Sequence, residues 1–111
     1  MMNLVWPAVN PAPNTRRTAV TVFVVNYDLR KPGQNYQPLW DRLAAWKAVR
    51  GLESMWFITA TTTADELRDD LRGYVDSSDG IFVAELVGRC AWFNLKGNTG
   101  QHLLTQFARA A

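Results

Sequence analysis

The chain has one cysteine, Cys90, and one histidine, His102, in 111 residues. A single cysteine excludes an intrachain disulfide, and the two residues together exclude the Cys/His zinc frameworks, which need three or four such ligands. The lone histidine also argues against a His-dependent triad, and Ser54 has no histidine partner in the sequence. Neither sign of charge dominates. Twelve Lys and Arg stand against ten Asp and Glu, for a net charge of +2, so any nucleic-acid surface must come from local clustering. No run approaches the ~20 apolar residues of a membrane span. Internal repeats and low-complexity tracts are also lacking. Cys90 reads as a buried small hydrophobe and His102 as a surface residue on a terminal helix.

What is present is a composition 48% hydrophobic, enough for a single core and too little chain for two. Function must therefore rest on one site or one surface. Residues 1–17 carry Pro7, Pro11 and Pro13 and end on Arg16 and Arg17. They lack the apolar stretch of a secretory signal and read as a flexible arm, with the chain placed in the cytoplasm.

The strongest local signal is Val20 to Asp28, a β-branched run that ends on a carboxylate and leads into Leu29-Arg30-Lys31-Pro32-Gly33. Alternation puts Val20, Val22, Val24, Asn26 and Asp28 on one face and Thr21, Phe23, Val25 and Tyr27 on the other. A carboxylate on a mostly apolar strand face must be solvated, paired or metal-bound. Asp28 is therefore the first candidate for function.

Downstream, Tyr36, Leu39, Trp40 and Leu43 recur at helical spacing, with Pro38 tolerated in the first turn and the helix ending near Ala45 or Trp46. Lys47 to Leu52 fits either helix or strand, and a short strand is favoured because it would pair with the clear strand Ser54 to Ala60. Thr63-Ala64-Asp65-Glu66 fits a capping box opening a helix whose stripe is Ala64, Leu67, Leu71, Tyr74 and Val75. Asp76-Ser77-Ser78-Asp79-Gly80 is a turn cluster, and Ile81 to Val87 a strand whose near-continuous apolar character predicts an inner position in the sheet. The order is β-α-β-β-α-β, the ferredoxin-like arrangement of a four-stranded antiparallel sheet with both helices on one face, spanning 18–88. A C-terminal extension, 89–111, adds a short helix over Gln101 to Arg109. The first strand is apolar on both faces, so its second face needs another layer. A homodimer supplies it most simply, and Trp92 and Phe93 could supply it instead.

Arg16, Arg17, Arg30 and Lys31 could form a phosphate-contacting patch if the arm folds back on the first loop. As alternatives, these are solvated surface residues, and Asp28 caps a turn or pairs with Arg30 or Lys31. Tyr27, Tyr36, Trp40 and Trp56 could stack on bases, but aromatic residues at strand and helix spacing are read as packing. Asp76 and Asp79 are explained by turn formation.

Tyr27-Asp28-Leu29 ending the first strand, the Lys-Pro-Gly-Gln-Asn-Tyr loop, Leu52-Glu53-Ser54 before Met55-Trp56-Phe57-Ile58, and Asp76-Ser77-Ser78-Asp79-Gly80-Ile81 in that order resemble one group of proteins. This is the superfamily of CRISPR-associated protein 2 and virulence-associated protein D, and the chain looks closest to its SinR-like branch. The resemblance covers about Val20 to Gly88. It implies a ferredoxin-like homodimer acting on or near RNA or DNA. Some members are described as metal-dependent endoribonucleases that use the aspartate ending strand one, and others as non-catalytic scaffolds that hold DNA beside an integrase. Asp28 alone carries over, as the catalytic and metal-binding candidate. One carboxylate is a poor magnesium (Mg) site, and two copies of Asp28 across a dimer axis would make a better one. The competing expectation is a non-catalytic interaction module, a scaffold or an inhibitor of a defence complex, that binds a larger protein partner. The N-terminal arm and the acidic second helix depart from the family pattern.

Overall fold

The structure, a computed structural model, describes residues 19–110. Seven elements follow in order: β1 (Thr21–Asp28), α1 (Gln37–Ala45), β2 (Val49–Leu52), β3 (Met55–Ala60), α2 (Ala64–Arg72), β4 (Gly80–Leu86) and α3 (Thr99–Ala110). The four strands form one sheet in the order β2-β3-β1-β4, and every pairing is antiparallel. The described residues are thus α+β, with a four-stranded antiparallel sheet and three helices.

The local signals act as their chemistry requires. Pro38 lies in the first turn of α1, where its missing N–H costs nothing. The helix closes with Lys47 at φ 61°, its N–H on Ala44 O at 2.9 Å and the Ala48 N–H on Leu43 O at 3.0 Å. That is a Schellman closure with lysine in the left-handed position usually given to glycine. At the start of α2, Thr63 Oγ1 accepts the Glu66 N–H at 3.2 Å, and Thr62 donates its hydroxyl to the Glu66 carboxylate at 2.9 Å.

The two faces of β1 build two apolar clusters. Phe23, Val25 and Tyr27 join Ile58 of β3, Leu39 and Leu43 of α1, and Leu67 and Leu71 of α2. On the opposite face Val22 meets Phe57 and Leu103, with Val24, Leu86, Leu95 and Phe107 around them. The third helix therefore covers the second sheet face from within the same chain. Its start is tied to β2: Lys96 N–H donates to Gly51 O at 2.8 Å, and the buried Thr99 donates its hydroxyl to Arg50 O at 2.9 Å. From there Thr99, Leu103 and Phe107, spaced at i and i+4, lie against the sheet.

Three expectations need correction. The strand after the Asp-Ser-Ser-Asp-Gly turn is an edge, not an inner strand: among the described residues β4 pairs only with β1, and Val87 beyond it is 83% exposed. Its apolar run reflects α2 on one face and a partly open surface on the other, a pattern that mimics burial on both sides. Both α1 and α2 share one face as expected, and it is the cover of the other that differs, since a twelve-residue helix of the C-terminal segment lies there where a second copy was the simplest source. Cys90 is exposed, since it lies in the surface connector between β4 and α3.

Candidate functional site at the exit of the first strand

Asp28 ends β1 opposite Gly80 of β4, on the sheet face that α3 occupies further up. Its side chain is 71% exposed, and its Oδ2 accepts Arg30 Nε at 2.9 Å. At this exposure such a pair contributes little stability and is easily exchanged for another partner.

The loop after β1 is clasped to the turn before β4. Asp79 is the knot: Oδ1 accepts the Arg30 N–H at 2.7 Å and the Tyr36 hydroxyl at 2.8 Å, and Oδ2 accepts the Asp76 N–H at 2.8 Å. Burial would raise the Asp79 carboxyl, yet these three donors hold it below the ordinary carboxylate range. Burial first, then the same contact, raises the Tyr36 phenol. Asp76 accepts the Ser78 hydroxyl at 2.6 Å, the Ser78 N–H at 3.0 Å and Lys31 Nζ at 3.2 Å. Those donors, led by the Ser78 hydroxyl, lower its pKa to about 2. Arg30 Nη1 also reaches Ser78 O at 3.3 Å. Arg30 and Lys31 each give side-chain donors to their own chain, Arg30 to Asp28 and Ser78 and Lys31 to Asp76. Arg16 and Arg17 lie outside the described residues.

A second cluster adjoins the first on the other sheet face. The Tyr27 hydroxyl oxygen receives Trp56 Nε1 at 3.0 Å, Trp40 Nε1 at 3.1 Å and Arg50 Nη2 at 3.2 Å. The Arg50 guanidinium also bonds Glu53 O, from Nε at 3.0 Å and from Nη2 at 2.6 Å. It lies over the Trp40 and Trp56 rings at 5.6 and 5.1 Å from their centroids, within cation–π range. Tyr27, Asp28, Trp40, Arg50 and Ser54 line an open recess of about 270 Å³. Sequence reasoning assigned the three aromatics to packing and did not single out Arg50. The signal was Tyr27 itself, a phenol on an inward-facing strand position whose hydroxyl had to find partners.

Elsewhere Asp70 of α2 binds Arg42 of α1 in a fork, Oδ2 to Nε at 2.8 Å and Oδ1 to Nη2 at 2.7 Å, and Oδ2 also accepts Trp46 Nε1 at 2.8 Å. The Arg42 contact first, then Trp46, lowers the Asp70 carboxyl despite its partial burial. This bidentate pair locks the two helices together. Among the described residues, no group of three or more His, Cys, Asp and Glu side chains is placed to hold a metal ion, and no helix is long and apolar enough to cross a membrane. No protein-family model and no solved structure matches the chain.

Proposed function

We propose that the protein is a small nucleic-acid-associated homodimer of the CRISPR-associated protein 2 type, with the exit of β1 as its working end. The strand order β2-β3-β1-β4 and the alternation β-α-β-β-α-β support a ferredoxin-like reading, because each β-α-β unit skips a strand of the other. The carrying observation is that the inner strand β1 ends on an exposed carboxylate, Asp28, at a recess also lined by Arg50 and the Trp40 indole. Val87 and Phe93, both 83% exposed, and the open edge of β4 are the surfaces that suit a second copy.

The residues of one chain do not fit a magnesium ion, since Asp28 is a single carboxylate already paired with Arg30. Endoribonuclease chemistry at Asp28 would therefore require the second copy to bring its own. A single carboxylate at the strand exit favours the non-catalytic form of this reading, a module that holds nucleic acid or a larger protein without cutting.

Light scattering on the purified chain together with incubation of single-stranded RNA and DNA in magnesium or manganese tests both forms. A dimer that binds but does not cut supports the non-catalytic reading. Cutting that Asp28→Ala abolishes, with the dimer retained, establishes the hydrolytic one. A monomer that neither binds nor cuts nucleic acid overturns the proposal.

A further inference from the structure

The open edge of β4 has a definite polarity. Tyr27 donates its N–H to Ser54 O at 3.1 Å, on the β3 side of β1. A strand residue sends its N–H and C=O the same way, so Tyr27, Val25 and Phe23 all turn theirs away from β4. Their partners Ile81, Val83 and Glu85 stand in non-hydrogen-bonded pairs and direct N–H and C=O outward from the sheet. Among the described residues no strand receives them. Nor is this edge blunted, since Gly80–Leu86 holds no proline and no lysine and its register with β1 runs unbroken.

A helix follows the same edge. Strands β3 and β4 both run antiparallel to β1, so α2, which joins them and packs on β4, runs back against β4. Arg68 and Arg72 line a cleft with Ile81, which turns their side of α2 toward the edge. Asp65, Arg68, Asp69 and Arg72 share that side at i, i+3, i+4 and i+7. The middle two pair with each other at 2.9 Å. Among the described residues Asp65 and Arg72, at the two ends, have no ion-pair partner.

We propose that a second copy pairs here, β4 against β4, across a two-fold axis at Val83. The assignment deepens the proposed function and rests on its homodimer reading. A two-fold interface must be complementary to itself, and both features are. Antiparallel pairing centred on Val83 sets it opposite the partner's Val83 and sets Ile81 opposite the partner's Glu85, so all three outward N–H and C=O pairs are used. The same axis lays the two α2 helices antiparallel, the unpaired acid end of each toward the unpaired basic end of the other. An unrelated peptide would satisfy the backbone, but the charge order along α2 would not specify it. Edge pairing adds strands beside the sheet, so the open half of the second face stays open. The consequence falls on Asp28, which lies opposite Gly80, three residues from the axis. Its mate is then six residues away along the strands and three strand spacings across, about 25 Å. No cation with oxygens at about 2.1 Å could join the two. The assembly presents two separate strand exits on one face of a continuous sheet, which is the non-catalytic form of the proposed function.

The test is a distance measured by pulsed electron paramagnetic resonance on the full chain, spin-labelled at Asp28→Cys in a Cys90→Ser background, with light scattering on the same samples. A peak at about 20–30 Å is expected. A dimer whose peak lies below about 15 Å, near three strand spacings or less, overturns the edge pairing while the homodimer stands. Val83→Pro removes an N–H that no strand of its own chain uses and is expected to give a folded monomer by circular dichroism and scattering. A folded Val83→Pro that dimerises as tightly as the native chain overturns the pairing, and the label distance decides alone if that variant does not fold. Arg72→Glu is expected to weaken the dimer about 2- to 30-fold through two exposed pairs, and adding Asp65→Arg to restore it. Equal affinity in Arg72→Glu overturns the helix contact. If the native chain is a monomer, the homodimer reading fails and the edge pairing with it.

Discussion

The two faces of β1 start alike and end differently. Val22 and Phe23, adjacent in sequence and on opposite faces, are 1% and 0% exposed. At the other end Tyr27 is buried at 8%, whereas Asn26 and Asp28 are exposed. The first face is roofed along its whole length by α1 and α2, and its last polar atom is satisfied by three N–H donors. The second is roofed only as far as α3 reaches. One strand with one sequence pattern thus yields a closed core and an open platform. The length of the covering helix, more than the strand, decides where the chain can meet another molecule.

The contrast breaks most sharply at Phe23. Replacing it with alanine removes a fully buried ring between two helices and is expected to cost about 3–5 kcal/mol, read as a lowered denaturation midpoint with unchanged slope. A loss below about 1 kcal/mol would mean that the roofed face is not the main core. Tyr27→Phe comes next. It keeps the ring and removes the oxygen on which two indoles and Arg50 converge. The stranded donors are expected to cost about 1–3 kcal/mol. Indole fluorescence should change with it, because Trp40 and Trp56 both lose a partner.

Acid should loosen both the clasp at the exit of β1 and the fork that joins α1 to α2. The Asp76 carboxyl titrates at about 2 in the folded chain, and Asp70 and Asp79 are also depressed. A depressed folded pKa means the contribution is fully present above the ordinary carboxylate value of about 4 and is lost as pH falls toward about 2. Denaturation midpoints measured across that window should fall. Asp76→Asn should flatten the part of the fall that belongs to the clasp. A profile that Asp76→Asn leaves unchanged would show that the clasp contributes nothing there.

Most of the fold was legible because it depends on local chemistry. The alternation of β1, the first-turn proline of α1, the Thr63 cap and the Asp-Ser-Ser-Asp-Gly turn each carry their structure in neighbouring residues. The placement of β4 was not legible. An apolar strand such as Ile81-Phe82-Val83 reads the same whether its second face is covered or merely open, and only the reach of α3 distinguishes the two. Asp28 was found by its position, and its pairing with Arg30 was one of the alternatives the sequence offered. The convergence of Tyr27, Trp40, Arg50 and Trp56 was not legible, because four residues from β1, α1, β2 and β3 meet only after the sheet has formed. The same holds for the outward row of Ile81, Val83 and Glu85, which is defined by strand register.

The smallest expected effect sharpens the comparison most. Phe82→Ala removes a side chain as large as that of Phe23, from the same sheet, and is expected to change stability by no more than about 0.5 kcal/mol. At 63% exposure the ring keeps most of its contact with water in the folded chain, so little transfer free energy is lost with it. Denaturation at two protein concentrations makes the measurement decisive. A loss above about 1 kcal/mol that grows with concentration would mean that assembly buries the ring. One that does not would mean that the chain itself covers it, and the platform on the open half of β1 would not exist.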